Sequence, residues 1–428
     1  MSAKDQNDNV SKLTDHLFRR EAGKMVSVLT KIFGTKNLET AEDVVQQTFI
    51  DAIELWMLKG IPDNPSAWLF RVAKNKAIDV IRRNKHSLQY DFNDSERILL
   101  KSEYTLASKM ENFWKEELVK DDMLGMMFAC CHPEVSAESQ ITLILKTLCG
   151  FSTAEISKAF LTSEDTVSKR LYRTKEFFRK NKIKLEIPSS DQIRIRTEAV
   201  LNAIYLLFNE GYNSTHSEEL IRQDLIDESM LLCRLLTENP NTQLPETYAL
   251  TALICFHASR SPGRLSAEGE IILLPMQDRS KWDKDLISIG IEYMDKASSG
   301  NSVSTYHIEA AIAFEHCAAG SFEKTNWKRI LELYEWLCKI SPSPVAELSK
   351  AAVVMQMHGA SEALKILENI LDKKKIEEFY LYHSLLGEIY SRMNDNRKAK
   401  HSFENAARLT RSSKEKKLLD EKIIALIN

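Results

Sequence analysis

Residues 151–173 read FSTAEISKAFLTSEDTVSKRLYR, a stretch that predicts a short helix, a tight turn and a longer helix. Four apolar positions would face inward and hold the two helices together: Ile156, Phe160, Val167 and Leu171. Ser163 stands where a side-chain oxygen caps the second helix, and two acidic residues follow in its first turn. This arrangement is typical of a helix-turn-helix, whose second helix can enter the major groove of DNA.

The outward face of that second helix carries the residues predicted to contact DNA: Ser163, Thr166, Ser168, Lys169, Arg170, Arg173 and Lys175. Early residues would reach base edges, and later basic residues would reach phosphates. An ordinary helical hairpin with a solvated basic face is the alternative, because Leu161 and Ser157 replace the usual glycine and small apolar residue. The distribution of charge favours DNA binding over an ordinary hairpin, because residues 71–85 and 164–184 each carry a net charge of +5 in a chain whose net charge is -3.

Residues 41–56 predict an amphipathic helix in a segment that carries five acidic residues and no basic one between positions 39 and 54. Its inward positions are Ala41, Val44, Val45, Thr48, Phe49, Ala52, Ile53 and Trp56. The excess of acidic residues is compatible with a surface for a protein rather than for DNA.

Another helix is predicted from Pro65 to about Arg83, with Asn64 as its N-cap. It would bury Leu69, Val72, Ala73, Ala77 and Val80. Trp68 and Phe70 lie among basic residues near its start, a combination that suits the stacking of single-stranded bases. Packing of these two rings in the core is the alternative.

The 428 residues indicate two to four domains, and the composition (43% hydrophobic, 28% charged, 13 Gly, 10 Pro) is typical of a helix-rich globular protein. No apolar run approaches the ~20 residues of a membrane span, and the N-terminus lacks the apolar core of a signal peptide. Seven cysteines with no CxxC spacing indicate a reducing compartment. We therefore expect a cytoplasmic protein without membrane contact.

No cofactor, metal or enzymatic activity is predicted, because the chain has no Gly-rich phosphate loop, HExxH or GxSxG motif. Cys130, Cys131 and His132 are the single candidate metal-binding cluster in the sequence. Adjacent ligands without a second pair fit a tetrahedral zinc site poorly, so small residues buried at a helix end are the alternative.

Taken in order, these elements make the first 185 residues resemble an extracytoplasmic-function sigma factor, a group IV member of the sigma-70 family of bacterial RNA polymerase. Residues 41–51, AEDVVQQTFID, are similar to the region 2 helix that binds the clamp of the largest polymerase subunit. The resemblance implies that Asp43, Gln46, Gln47 and Phe49 make that contact.

Residues 64–83, NPSAWLFRVAKNKAIDVIRR, resemble the helix that melts and reads the minus-ten promoter element, and the loop before it resembles one that captures a flipped base. The candidate DNA contacts there are Gly60, Asn64, Trp68, Arg71, Lys74, Asn75, Lys76, Arg82 and Arg83. By the same resemblance, the helix-turn-helix would read the minus-thirty-five element as duplex, next to the flap region of the polymerase.

The rest of the chain resembles the subgroup with a long C-terminal, tetratricopeptide-like extension, through LFNEGY (207–212) and HIEAAIAFEH (307–316) among other stretches. Ala363, Leu367 and Ile370 recur 36 residues later as Ala399, Phe403 and Ala406, near the tetratricopeptide period. The resemblance implies that the extension regulates polymerase or promoter engagement in place of a membrane anti-sigma partner, with an unknown regulator as a partner.

Several polar residues of this extension lie in apolar surroundings: Asn209, Glu210, Asp224, Arg279, Asp283, His307 and His316. They could line a groove for a ligand or a partner, or simply satisfy one another's hydrogen bonds in a helical array.

The predicted fold is all-α, with two small helical sigma domains followed by a helical extension. We predict region 2 at 10–88, a linker at 89–115, region 4 at 116–186, and the extension at 193–428 with repeats near 342–410. The predicted function is promoter-specific initiation with core RNA polymerase. A dimeric repressor or activator that binds duplex DNA alone, and a tetratricopeptide scaffold with an incidental helix-turn-helix, are the alternatives.

Overall fold

The computed structural model describes residues 3–83, 116–160, 162–181, 183, 190–214, 220–370, 373, 376–410 and 412–426. Within these ranges there are 18 α-helices and no β-strand beyond one isolated bridge between Leu265 and Ile271, which confirms the all-α prediction. The predicted linker at 89–115 and the turn residue Leu161 lie outside the described residues. The predicted domain limits remain predictions.

The chain forms two compact units, residues 1–207 and 208–428. The helices of the first unit are α1 (Ala3–Phe33), α2 (Leu38–Lys59), α3 (Pro65–Arg83), α4 (Glu116–Cys130), α5 (Ala137–Thr147), α6 (Thr153–Ala159), α7 (Glu164–Lys180) and most of α8 (Ser190–Tyr212). Helix α1 packs against α2, α3, α4 and α5, so it forms the centre of this unit.

Helix α2 buries the face that the sequence periodicity predicts, except that Ile53 is only half-buried. Helix α3 buries Leu69, Ala73, Ala77 and Ile81. The predicted Val72 and Val80 are half-buried instead, because the helix turns Ile81 toward the core. Full burial of one such aliphatic side chain contributes about 1.5–3 kcal/mol, so these two faces hold α2 and α3 in place.

The start of α3 has the predicted cap, since the Ala67 amide donates to Asn64 Oδ1 at 3.0 Å and Pro65 is the first helical residue. Helix α2 ends at Gly60, which has a φ of 87° and donates its amide to the Trp56 carbonyl at 3.0 Å. That left-handed backbone favours glycine, and it turns the chain into the loop before α3.

The core beneath the helix-turn-helix contains Ile156 and Val167, with Leu171 buried at its edge and Phe160 half-buried. Cys130 and Cys131 are fully buried at the end of α4, and burial raises the pKa of both thiols. No metal-binding cluster of three or more His, Cys, Asp or Glu side chains occurs in the part of the chain that the structure describes. All seven cysteines are free thiols, six of them buried.

The second unit continues with α9 (Gln223–Glu238), α10 (Pro245–Ser259), α11 (Lys284–Ala297), α12 (Thr305–Ala318), α13 (Trp327–Ile340), α14 (Pro344–His358), α15 (Ala360–Glu368), α16 (Tyr380–Arg392), α17 (Asn396–Leu409) and α18 (Ser413–Ala425). Helix α10 is buried on nearly all sides and packs against α9, α11 and α12.

From α12 onward, each apolar cluster is shared by helices that follow one another along the chain. The six positions that repeat at 36 residues in the sequence are all buried. At Gly387 an added Cβ would lie 2.4 Å from the Phe403 ring, so α16 and α17 pack in close contact. This serial packing is typical of a helical-repeat array.

Candidate nucleic-acid interface

The acidic helix α2 presents the predicted polymerase contacts unevenly. Asp43, Gln46 and Gln47 are exposed. Phe49 is 4% exposed and packs edge-on against Phe18, with ring centroids 5.1 Å apart. Asp43, Gln46 and Gln47 are therefore accessible to a partner protein, whereas Phe49 packs in the core beneath the helix.

An ion pair joins α2 to the basic helix α3. Lys76 Nζ lies 2.7 Å from Asp51 Oδ2, and Gln47 Nε2 donates to Asp51 Oδ1 at 2.9 Å. Partial burial alone would raise the pKa of Asp51, but the hydrogen bonds from Lys76 and Gln47 outweigh it and lower that pKa. Lys76 thus sets the packing of α3 on α2, beside its predicted contact with DNA.

Most of the other predicted DNA contacts of α3 face solvent. Arg71, Asn75, Arg82 and Arg83 are exposed, and Lys74 is half-buried. Because residues four or seven positions apart share a helix face, Arg71, Asn75 and Arg82 form one polar stripe. Such a stripe can follow a nucleic-acid backbone.

The predicted base-stacking residue Trp68 is half-buried and meets the buried Trp56 edge-on, with ring centroids 5.4 Å apart. This position is compatible with both core packing and base stacking, because one side of the ring packs against Trp56 while the ring retains accessible surface. The loop before it exposes Ile61 and Asn64, and a Cβ added at Gly60 would have no neighbour within 4 Å. The space beside Gly60 is therefore open.

The helix-turn-helix consists of α6 and α7. Ser163 caps α7 as predicted, accepting a hydrogen bond from the Thr166 amide at 3.2 Å. Ser168 and Arg173 are exposed, and Lys169 lies 2.6 Å from Asp165 in an exposed ion pair. These residues form a solvent-facing surface that could meet DNA.

Two residues of α7 differ from the predicted outward face, one by partial burial and one by unexpected exposure. The Arg170 guanidinium lies 5.5 Å from the centre of the Phe160 ring and is half-buried, so it bridges the two helices of the motif. Tyr172, which charge-based reasoning missed, is 69% exposed between Lys169 and Arg173. Its helical spacing from Ser168 could have shown it, because the two positions lie on one face.

Lys175, the last predicted DNA contact of α7, instead pairs with α2. Its Nζ lies 2.5 Å from Glu42 Oε2, and Thr147 Oγ1 donates to Glu42 Oε1 at 3.0 Å. The side chains of Lys175 and Glu42 are each 23% exposed. A single carboxylate on the acidic helix therefore holds both α5 and α7.

A second ion pair joins α1 to the helix-turn-helix, with Arg19 Nη1 2.7 Å from Glu155 Oε1. Burial alone would raise the pKa of Glu155, but Arg19 and the Ser152 amide and hydroxyl outweigh it and lower that pKa. A third pair, Lys31 with Asp122, joins α1 to α4.

Backbone contacts between the two halves of this unit are equally close. A Cβ at Gly23 of α1 would lie 1.9 Å from the Leu148 carbonyl oxygen, and one at Gly150 would lie 3.2 Å from Arg19 Cα. The Thr35 hydroxyl donates to the Ile183 carbonyl at 2.6 Å. The segment with α1 to α3 and the segment with α4 to α7 are thus packed directly on each other.

Comparison with known proteins places these helices in a family. Residues 17–87, which include α2 and α3, match sigma-70 region 2. An uncharacterized protein of Rhizobium meliloti (strain 1021) is 33% identical over 380 residues, which are 89% of this chain and 88% of that protein. The chain belongs to the sigma-70 family.

Sigma-70 factors are non-enzymatic transcription initiation factors that bind RNA polymerase and recognise promoter DNA, and this sigma factor shares those roles. Residues 196–298 match a family of unknown function, DUF6596. None of the described helices is long and apolar enough to span a membrane.

Two of the polar residues singled out in the extension of the sigma factor cap its helices. Asp283 caps α11 by accepting from the Asp285 and Leu286 amides, each at 3.0 Å. His307 forms a capping box with Ser304 at the start of α12. These two side chains therefore satisfy groups at the starts of their own helices.

Proposed function

We propose that this protein is an extracytoplasmic-function sigma factor that directs promoter-specific transcription, acting in the cytoplasm with its polymerase. The observation that carries the proposal is the adjacency of two different surfaces on the region 2 helices. Asp43, Gln46 and Gln47 form an exposed polar face on α2, and the polar stripe of α3 lies on the neighbouring helix.

In this proposal the α2 face binds the clamp of the largest polymerase subunit, with Phe49 supporting it from the core. The stripe of α3 and the loop at Gly60 bind the melted minus-ten element. Helix α7 reads the minus-thirty-five element near the polymerase flap, with Lys169 at base edges and Arg173 at phosphates.

In the packed arrangement, the α3 stripe and helix α7 cannot contact the minus-ten and minus-thirty-five elements at the same time. The elements lie about 25 base pairs apart, or roughly 85 Å at 3.4 Å per step. Axes of packed helices are about 8–10 Å apart, and α7 is paired to α2, which itself packs on α3. The proposal therefore requires α4–α7 to separate from α1–α3 on the promoter. The 32 residues of positions 84–115 are long enough, at about 3.3 Å per extended residue, to allow it.

The C-terminal extension, which we assign to the tetratricopeptide-like class, would modulate polymerase or promoter engagement in response to a regulator. Its serial helix packing supports this assignment, because such arrays provide extended binding surfaces.

In vitro transcription with sigma-free core polymerase tests the proposal. We expect promoter-specific transcripts when the full chain is added and weak binding of promoter DNA without polymerase, because two weak contacts act together once the polymerase holds them. The absence of a specific transcript at every salt concentration, or tight sequence-specific duplex binding by the free protein, would contradict it.

A further inference from the structure

A buried arginine in the second unit has a guanidinium nitrogen, Nε, without an acceptor among the described residues. Arg260, at the end of α10, is 9% exposed. Its Nε has no hydrogen-bond partner, and no ion pair to it occurs within the described residues. Its contact with the Trp282 ring, 5.2 Å from guanidinium carbon to ring centroid, supplies no hydrogen-bond acceptor for Nε.

Two neighbouring arginines show what satisfied guanidinium groups look like in this unit. Arg279 donates to the carbonyls of His316 and Ala319, both at 2.6 Å, and to Thr325 Oγ1 at 3.3 Å. Arg264 donates to the Tyr212 carbonyl and to Asn213 Oδ1. Arg264 and Arg279 therefore both have structural hydrogen bonds. Arg260 differs from these two neighbours in lacking such bonds to the described residues.

The surroundings of Arg260 add positive charge. Burial lowers the pKa of Arg264 and of Arg279, and the nearby charge of Arg260 lowers both further. Burial, followed by the effect of Arg260, lowers the pKa of His257 and of His316 to about 3, so both imidazoles are neutral at pH 7. Acidic groups lie near the flanking arginines, Glu323 beside Arg279 and Glu415 beside Arg264.

Further buried polar atoms in this cluster also lack partners. Within the described part of the chain, they are His257 Nδ1, Ser261 Oγ, Trp282 Nε1 and His316 Nδ1. Buried polar groups are normally hydrogen-bonded, and a buried charge without a partner is costly. A concentration of such atoms around one unpaired cation indicates a missing counter-ion.

We propose that Arg260 is the centre of an anion-binding site that takes the carboxylate or phosphate group of a small molecule. The planar guanidinium fork matches two oxygens of such a group. Hydroxyl, indole and neutral imidazole groups would supply further donors as their side chains turn toward the ligand. The site does not depend on the sigma role, and its test contains neither polymerase nor DNA.

The test measures thermal unfolding and titration calorimetry of the full chain with inorganic phosphate and, separately, with acetate, against chloride at matched ionic strength. We expect at least one of the two anions to raise the unfolding midpoint saturably. The two arms distinguish a phosphate from a carboxylate ligand.

Arg260→Met should abolish this response, and Arg260→Lys should weaken the affinity about 10- to 100-fold, because lysine keeps the charge but loses the fork. Arg329→Met is the matched control, since Arg329 is half-exposed in an ion pair with Glu332 on α13, and it should respond like the unchanged protein.

Without added anion, Arg260→Met should unfold at or above the midpoint of the unchanged protein, because it removes an unpaired buried charge. A marked loss of stability there would assign Arg260 a structural role against Trp282 and overturn the proposal. An anion response equal to that of chloride, or one that persists in Arg260→Met, would overturn it as well.

Discussion

Replacing Arg19 by methionine removes the ion pair between α1 and the helix-turn-helix and keeps most of the aliphatic stem. Its partner Glu155 is 10% exposed at the side chain, and Arg19 is 21% exposed. Breaking a fully buried pair costs about 3–5 kcal/mol. In the variant, Glu155 would still accept from the Ser152 amide, at 2.6 Å in the structure, and Arg19 is already partly hydrated. We therefore expect Arg19→Met to lower the free energy of unfolding by about 2 kcal/mol, or roughly 30-fold in the unfolding equilibrium.

Urea unfolding at several pH values measures this loss. The folded-state pKa of Glu155 lies below its usual value of 4.5. Its contribution is therefore fully present above the unfolded-state pKa and is lost as the pH falls through the folded-state pKa. The stability difference between the unchanged protein and Arg19→Met should be largest near pH 7 and should narrow below about pH 4.5.

Arg20→Met is the control, because Arg20 is half-exposed beside Glu21 and its loss should change stability by less than about 0.5 kcal/mol. A loss for Arg19→Met no larger than that of Arg20→Met would refute the reasoning. A loss that stays constant from pH 7 to pH 3 would show that the charge of Glu155 is not its source.

The same surfaces give three further expectations. Changing Asp43 and Gln46 together to alanine should abolish capture of core polymerase without altering the unfolding midpoint, since both side chains are exposed; capture at the original level would remove α2 as the docking face. Arg173→Ala should weaken promoter binding by the polymerase complex for all sequences and reduce the salt slope by about 1, whereas Lys169→Ala should change the preferred sequence. Equal behaviour of the two variants would contradict the assignment of the α7 face. Gly60→Ala should cost about 1–3 kcal/mol, measured by urea unfolding, because residues with a Cβ rarely adopt a φ of 87° with a ψ of 163°; an unchanged stability would mean that the loop adopts another backbone.

Local patterns in the sequence predicted the helices and caps well. The buried face of α2 and the N-caps at Asn64 and Ser163 depend on residues within about one or two helical turns, and the structure confirms them. The predicted buried face of α3 was partly wrong, since Ile81 is buried in place of Val80. The sequence of one helix does not fix how that helix is rotated against its neighbours.

The contacts that join the two halves of the first unit were beyond the reach of such patterns. Lys175 and Glu42 are separated by 133 positions, and Arg19 and Glu155 by 136. Charge spacing along a chain identifies partners three or four residues away on one helix, but not these. Lys175 therefore fitted a basic DNA-facing stripe by its position, although in the structure its charge meets a carboxylate.

Arg260 was missed for a related reason. An arginine at the end of an apolar helix is expected to extend its charge into water, and its burial depends on Trp282 and on helices that follow much later in the chain. Its neighbours Arg279 and His316 were noticed as polar residues in apolar surroundings, yet their hydrogen bonds became visible only in three dimensions.

The burial of the thiols has a practical meaning for labelling experiments. Burial raises the pKa of Cys233 and Cys255 to about 12 and that of the half-buried Cys338 to about 11, and thiolate rather than thiol attacks a maleimide. A new cysteine at the exposed Ser168 should therefore accept a fluorescent dye selectively, with the seven natural cysteines left in place. In the complex that we propose, a second dye on the polymerase clamp would then report, molecule by molecule, when α7 leaves α2.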